Sequence, residues 1–511
     1  MNSDGVTRLS FIRILGVISF FFRKKLIVIC VLSIFSIGAV WSGDHQRDSL
    51  IILNNISTSD LIDSLTTIHS LDFAYDADIL NGSEKRNIEV PYNISEQWLE
   101  EVFGRDGVEV RLINNQVIIG RRRGRILSSE AVRISGRVEE ALSGEPMPMV
   151  NIGLIGKPMG TITNDAGYFE FLVPEQFKGE QMVFSHLGYI GEKLIVPSRD
   201  TMVVVSLASS SVSLPEVNIL YQDADVIMRL ASQRVVENYP GFPTFLTAFF
   251  RETIQQDDRF VDVSEAVVEI LKPSYQNVFD QERVRFIRGR KGRETVDMDL
   301  INFRLVGGPY HFSRLDVVRN GDFFYNDDGY SQYEYIFNGV DIVFDRMVYR
   351  VGFEPINDTE SLFYKGEMRI DAESYALVSI EFELTSASIR RSRSYLVQRD
   401  ARRFRTTPLF ARYLVEYRPW GDLWVLSRVK GEVNLRVVDR NRRQRTVFHT
   451  VSEMLVSDHT RAASQHRIRW AETFRPSYVL SEHLGDFDPE FWKEYNIIQP
   501  DETLEKVFRL D

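Results

Sequence analysis

The sequence has a single cysteine among its 511 residues, Cys30, and it lies inside an apolar run near the N-terminus. If that run is removed from the mature protein, no thiol remains. Disulfide bonds, thiolate nucleophiles and cysteine metal ligands are then excluded together.

Histidine is scarce as well, with eight residues in the chain. They are His45, His69, His186, His311, His449, His459, His466 and His483. None belongs to a His-Glu-x-x-His pattern, and none has a glutamate three residues later, as zinc carboxypeptidases have. His449, His459 and His466 come nearest to a cluster. They straddle a predicted strand and a polar loop, so a zinc site is not expected.

Other catalytic signatures are missing too. There is no Gly-x-Ser-x-Gly elbow and no glycine loop that would cradle phosphate. Residues 325–329 resemble a calcium loop, but Phe324 and Tyr335 stand where that loop needs acidic side chains, so we expect a turn between strands. The sequence predicts no catalytic residues, no metal ligands and no cofactor, although a hydrolase with an unrecognised site stays an alternative.

The apolar run at residues 26–40 is shorter than the ~20 residues that a membrane helix needs. It follows Arg23, Lys24 and Lys25, and the sequence turns polar at Asp44. This pattern is typical of a signal peptide, so residues 1–43 are expected to direct export, with cleavage near Ser42. The alternative is an uncleaved anchor that also uses residues 11–22.

The chain has no excess of positive charge, since its formal net charge is −11. A nucleic-acid partner is therefore not expected, because nothing offsets phosphate repulsion. The length suits about three domains. We predict a multidomain, mainly β protein: a small α/β domain at 48–122, a seven-stranded-type β-sandwich at 131–208, and an α+β domain at 222–511 dominated by a curved antiparallel sheet.

Residues 131–208 contain short apolar alternations that turn residues separate, which indicates a small antiparallel sandwich. The alternating apolar residues are Val132, Ile134, Val150, Ile152, Leu154, Phe169, Phe171, Met182 and Phe184, and both phenylalanines of the pair Phe169 and Phe171 are expected to point into the core. The Gly-Arg-Val strand, the Gly-Glu-Pro turn, the string Asn-Asp-Ala-Gly-Tyr-Phe and the His-Leu-Gly-Tyr segment resemble the carboxypeptidase-regulatory-like domain. That resemblance implies a non-catalytic module of the kind found ahead of TonB-dependent receptors in Bacteroidetes-type bacteria. Gly167 is expected to have a positive φ.

Residues 48–122 repeat a strand–helix–strand pattern. Thr58 or Ser59 is predicted to cap a helix with Leu61, Leu65 and Ile68 on one face, and Ser95 to cap a second helix. The closing couplet GVEVRLINNQVIIGRR and the length resemble the secretin and TonB short N-terminal domain. The resemblance implies a TonB-system or anti-sigma regulator partner. An unrelated small α/β domain is the alternative.

The C-terminal region opens with a predicted helix at 223–238, whose stripe is Ile227, Leu230, Ala231 and Val235. Strands are predicted at 245–253, 261–271, 334–337, 348–353, 364–370, 376–384, 411–418, 424–433 and 446–455. A long curved sheet with one helix is similar to the lipoprotein-carrier half-barrel. A helical stripe of Phe491, Tyr495 and Ile498 in the tail is expected to cover part of the sheet.

The C-terminal region contains three glutamates on neighbouring predicted strands and two arginine-rich stretches. Glu265 and Glu269 share a face of one predicted strand, with Glu252 on the next, and we expect an exposed face paired with Arg251 and Arg285. Two arginine-rich stretches fall between strands and are expected to be solvated, with anionic lipid or an acidic partner as the alternative. They are Arg390, Arg391, Arg393, Arg399, Arg402, Arg403 and Arg405, and Arg440, Arg442, Arg443 and Arg445.

Several strings resemble one uncharacterised Bacteroidetes envelope family: FFRETI, DVSEAVVEI, RFIRGRKG, GGPYHFSRLDVVRN and DPEFWKEYNIIQPDETLEK. The prediction is a non-catalytic, exported protein of the periplasm, associated with the outer membrane, that binds envelope proteins and outer-membrane lipid or lipopolysaccharide. A lipid or lipoprotein carrier that uses the C-terminal sheet is the first alternative.

Overall fold

The computed structural model describes part of the chain from residue 51 onward. The described residues are 51–69, 71–75, 85–104, 108–113, 115–121, 131–209, 223–256, 259–277, 279–292, 304–305, 308–320, 324, 331–359, 361–399, 404–441, 444–462, 467–480, 483–484, 492 and 494–509. The predictions for the signal peptide, Cys30 and the turn at 325–329 lie outside them. No helix among the described residues is long and apolar enough to cross a membrane.

The first module is a small α/β unit with two strand–helix–strand repeats. Its elements are β1 (Ile51–Ile56), α1 (Thr58–His69), β2 (Asp72–Tyr75), β3 (Arg86–Val90), α2 (Glu96–Phe103), β4 (Val108–Ile113) and β5 (Gln116–Arg121). Ser95 caps α2 as predicted. The prediction for α1 was wrong in two details: Ser57 Oγ accepts the Asp60 N–H, and Ile68 is exposed, whereas Ile62 is buried.

The second module is the predicted seven-stranded sandwich. Its strands are β6 (Ala131–Glu140), β7 (Asn151–Leu154), β8 (Gly160–Ile162), β9 (Tyr168–Pro174), β10 (Gln181–Ser185), β11 (Glu192–Ile195) and β12 (Thr201–Leu207). They form one sheet in the order β11-β10-β7-β8 and another in the order β12-β6-β9. Phe169 and Phe171 both lie in the core between the sheets, and Gly167 has a φ of +76°, as the sequence predicted.

The third module is a ten-stranded antiparallel sheet. Its strands are β13 (Thr244–Gln256), β14 (Arg259–Lys272), β15 (Arg283–Gly292), β17 (Tyr333–Val343), β18 (Arg346–Pro355), β19 (Tyr364–Asp371), β20 (Leu377–Leu384), β22 (Phe404–Trp420), β23 (Leu423–Asp439) and β24 (Arg445–Arg461). Their order is β15-β14-β13-β24-β23-β22-β20-β19-β18-β17. The sequence predicted all of these strands except β15, where four arginines hide the apolar alternation.

Shorter elements accompany this sheet. They are α3 (Ala224–Gln233), α4 (Val235–Asn238), β16 (Arg304–Leu305), α5 (Gly308–Ser313), α6 (Val317–Asn320), α7 (Ser386–Arg391), α8 (Arg393–Leu396), β21 (Val397–Arg399) and α9 (Glu502–Arg509). The helix predicted at 223–238 is interrupted at Arg234. Ile227 and Ala231 of α3 are buried as expected, and so is Met228.

One face of the ten-stranded sheet, here called the inner face, packs against α3, α5 and α6. Its core is apolar and aromatic, with Phe250 and Phe312 in an edge-to-face contact at 5.3 Å. At one end Asp316 is fully buried, and Lys272 Nζ lies 2.9 Å from its carboxylate. The hydroxyls of two core tyrosines also donate to Asp316, so its charge is compensated inside the core.

The tail packs on the opposite, outer face. Trp492, Ile497 and Ile498 are buried there in one cluster with Phe249 and Leu455. Residues 494–501 are not helical, so the predicted helical stripe was wrong at Tyr495 and Ile498, and α9 begins only at Glu502. The tail therefore covers the sheet as an extended segment, on the side away from α3.

Candidate binding cleft

The sandwich lies on the outer face of the ten-stranded sheet. On its four-stranded sheet, the pairings Asn151–Ile162 and Gly153–Gly160 place these four residues on one face. Ile162 is buried there against Phe249 and Leu455 of the large sheet. The four-stranded sheet of the sandwich thus packs face to face on the ten-stranded sheet. The sequence did not predict this contact between the two modules.

Polar contacts fix this arrangement around the apolar patch. The Lys193 ammonium lies 2.7 Å from the Asp345 carboxylate, and Arg428 Nη2 lies 2.8 Å from Met149 Sδ. The side-chain amide of Asn496 in the tail binds both backbone groups of Leu172 in β9, accepting from its N–H at 2.7 Å and donating to its carbonyl at 3.1 Å. The tail thereby joins the sandwich to the sheet.

Beside the apolar patch, the two layers separate and enclose a cleft of about 480 Å³. Residues 186–191 of the sandwich, which include the His-Leu-Gly-Tyr segment, form its roof. One wall is formed by residues 342–345, at the end of β17 and in the turn to β18. The floor is the outer face of β19, β20, β22 and β23. Sites of 300–1,000 Å³ at the boundary of two modules commonly bind ligands.

The roof and the wall of the cleft are largely apolar. Leu187 and Ile190 project from the roof, and Ile342, Val343 and Phe344 from the wall. These five side chains oppose a floor that carries charged groups. The cleft is therefore amphipathic, with an apolar upper side and a hydrogen-bonding lower side.

The floor charges are largely compensated. Arg428 lies 2.5 Å from the Glu453 carboxylate and 3.3 Å from that of Glu416. Lys430 contacts Glu432 at 2.8 Å. Mutual compensation keeps these side chains ordered across neighbouring strands, so the floor presents fixed polar groups and little net charge.

The wall carries local backbone strain. Phe344 and Asp345 have φ values of 52° and 60°, which is the left-handed conformation at two consecutive turn positions. This geometry fits the two-residue turns that close hairpins, but these turns usually contain Asn or Gly. Strained backbone is often found at functional sites, and here it holds Phe344 at the rim of the cleft.

His186 is the only described histidine that lines the cleft. Its Nδ1 lies 3.0 Å from the Leu187 carbonyl, and its ring contacts Tyr189. Burial lowers the pKa of His186 below its usual value, so the ring is neutral at pH 7. His449 and His459 lie away from the cleft, ten residues apart on β24. His45 and His466 lie outside the described residues. Within the described part of the chain, no three His, Cys, Asp or Glu side chains are placed to hold a metal ion.

The predicted carboxylate pairs form, but their exposure was predicted wrongly. Glu265 binds Arg251 at 2.5 Å and Arg290 at 2.6 Å, and Glu269 binds Arg285 at 2.5 Å. Glu265 is fully buried because the tail covers it; the sequence indicated that the tail covers part of the sheet, but not that it covers the outer face.

The two arginine-rich stretches flank long strands of the large sheet. The first includes α7 and α8, and Arg391 Nη2 binds the Asp358 carboxylate at 2.6 Å. Arg402, Arg403, Arg442 and Arg443 lie outside the described residues. Sequence reasoning missed Arg418 and Arg428, whose burial follows from the docked sandwich.

The family model of the CarboxypepD_reg-like domain matches residues 134–219, which confirms that assignment. No curated protein sequence matches the chain.

Several solved structures are similar to about half of the chain. One is a domain described as an outer membrane lipoprotein-sorting protein domain from Vibrio parahaemolyticus, with 9% identity over 48% of this chain and 95% of that chain, at a TM-score of 0.24. Another is a DUF1329 family protein from Desulfovibrio piger, with 12% identity over 48% of this chain and 95% of that chain, at a TM-score of 0.22. A third is MucB in complex with MucA(peri), with 12% identity over 47% of this chain and 100% of that chain, at a TM-score of 0.14. TM-scores this low do not establish a common fold.

Proposed function

We propose that the protein is a non-catalytic binding protein of the bacterial cell envelope, and that its partner lies in the cleft between the sandwich and the sheet. The cleft is the observation that carries the proposal. It is concave, it is built by two modules, and it combines an apolar roof with fixed polar groups. The carboxypeptidase-regulatory-like segment supports a periplasmic, outer-membrane-associated setting, by its resemblance to receptor modules.

The proposed occupant is a segment of an envelope protein, of the TonB-system or anti-sigma regulator type. An extended segment suits the cleft because its side chains alternate, so that apolar groups meet Leu187 and Ile190 while polar groups meet the floor. Lipid carriage is the second candidate. The apolar roof and wall favour it, since an acyl chain would bury them from water.

Site-specific photo-cross-linking in the producing cells tests both candidates. A photoreactive residue is placed at Ile190 in the roof or at Ile342 in the wall, and both side chains are at least 40% exposed. Leu142, which is 90% exposed and lies outside the cleft, is the matched control. The same adduct from both cleft positions, and none from Leu142, supports the proposal.

The adduct also separates the two candidates. A defined envelope protein, identified by mass spectrometry and lost when Leu187 is replaced by Asp, supports the interaction module. An acyl lipid supports the carrier. The absence of an adduct at the cleft, or equal adducts at Leu142, contradicts the proposal.

A further inference from the structure

Arg418 is a buried cation between the sandwich and the sheet. Its side chain comes from β22 and is 6% exposed. A Cβ added to Gly160 would lie 1.9 Å from Arg418 Nη1, and one added to Gly153 would lie 3.8 Å from it. The guanidinium therefore rests on the bare backbone of two glycines that pair across β7 and β8.

Arg418 has no protein partner among the residues that the structure describes. The structure shows no hydrogen bond or ion pair of its side chain with the described residues, and its Nη1 is shielded from solvent. Burial lowers the pKa of Arg418 to about 10, against the opposing effect of Glu416, whose carboxylate contacts Arg428. The guanidinium still carries its charge at pH 7.

His459 lies beneath the same loop of the sandwich but adds no negative charge. Its Nδ1 lies 3.4 Å from the Pro158 carbonyl, and its Nε2 is buried without a partner among the described residues. Burial, together with the charge of Arg418, lowers the pKa of His459 to about 3, so the ring is neutral. Neither the loop nor His459 supplies a negative charge to the cation, and Glu416, the acid that acts on Arg418, contacts Arg428 instead.

Arg428 is the natural comparison, because it is also buried beneath the sandwich, on the neighbouring strand. It lies 2.5 Å from Glu453 and 3.3 Å from Glu416. Burying a charge is costly unless an opposite charge or hydrogen bonds compensate it. Arg428 meets this condition with carboxylates of its own chain, whereas Arg418 does not.

We propose that Arg418 is the anchoring group of an oxyanion-binding site at the junction of the sandwich and the sheet, beneath residues 155–159. The ligand class is a phosphate or carboxylate group, because a guanidinium presents parallel N–H donors to either. The site lies outside the lining of the cleft and does not depend on what the cleft binds.

Thermal unfolding of the purified protein tests the proposal. The midpoint is measured against rising inorganic phosphate, and separately against acetate, with sodium chloride holding the ionic strength constant. The wild-type midpoint should rise and saturate, because a ligand that binds only the folded state stabilises it. A rise with phosphate alone assigns a phosphoryl ligand, and a rise with acetate alone or with both assigns a carboxylate-tolerant site.

Arg418→Met keeps the length of the side chain and removes its charge. Without added anion it should unfold at a higher temperature than the wild type, and it should not respond to phosphate or acetate. Arg461→Met is the matched control, since Arg461 is exposed and lies over the Phe242 ring. It should respond like the wild type.

Two results overturn the proposal. One is an equal response of Arg418→Met, which indicates binding at the surface, and the other is a wild type that does not respond. If Arg418→Met does not fold, calorimetric titration of the wild type with phosphate and acetate decides. A saturable heat of binding that Arg418→Lys weakens at least several-fold supports the site, and no heat or an unchanged affinity contradicts it.

Discussion

The two faces of the ten-stranded sheet are covered in different ways. The inner face packs against helices of its own module, and its core is a continuous apolar and aromatic cluster, with the buried Asp316–Lys272 pair at one end. The outer face is covered by a separate module and by the tail, and its small apolar clusters alternate with buried ion pairs such as Glu265 with Arg251 and Arg290.

This difference assigns the faces different roles. Apolar burial is not directional, so the inner face supplies stability without fixing one arrangement of its cover. Ion pairs need defined geometry, and their desolvation offsets much of their attraction. We infer that the outer face fixes where the sandwich and the tail dock, while the incomplete cover leaves room for the cleft.

The largest expected effect comes from removing a central acid of the outer face. Glu265→Ala leaves Arg251 and Arg290 buried without that carboxylate, so the free energy of unfolding should fall by about 3–5 kcal/mol. Urea denaturation measures this loss. Glu373→Ala is the control, since Glu373 is 85% exposed where it meets Arg346, and its effect should be small. A loss under about 1 kcal/mol for Glu265→Ala would mean that the ion pairs do not fix the docking.

An intermediate and pH-dependent effect is expected on the inner face. Burial, with a contribution from Asp262, raises the pKa of Glu252 to about 7. Because the folded protein binds this proton more tightly, the stabilising contribution is complete below about pH 4.5 and disappears as the pH rises through 7. Glu252→Gln should match the wild type near pH 4 and be more stable by about 1–3 kcal/mol at pH 8. Parallel stability curves from pH 4 to 8 would contradict this assignment.

The smallest effect is expected at the rim of the cleft. Lys193 and Asp345 form an ion pair at 2.7 Å, but both side chains are nearly half exposed. Lys193→Ala should therefore change the free energy of unfolding by less than about 1 kcal/mol, and the difference should shrink in high salt. A loss comparable to that of Glu265→Ala would remove the distinction between the rim and the buried part of the outer face.

The sequence predicted the strands of the large sheet better than it predicted which parts of the chain pack on the faces of that sheet. The alternation of β13 and β14 predicted both strands and the pairing of Arg251 with Glu265, because facing charges on neighbouring strands attract. The burial of Glu265 could not be predicted, since a strand covered on both faces can carry charged residues once they are paired. Ile162 contacts Phe249 and Leu455, which lie 87 and 293 residues later in the chain, and no local pattern encodes such contacts.

The Asn496 side chain has a consequence for the order of assembly. It binds the backbone of Leu172 in the sandwich, and two residues later the Ile498 carbonyl accepts a hydrogen bond from Arg251 of the sheet. Both contacts belong to a stretch that the ribosome makes after every strand of the described residues. The sandwich and the sheet can each fold during synthesis, but these contacts between them form only after residues 496–498 are made. A translation product that stops before residue 496 lacks both contacts.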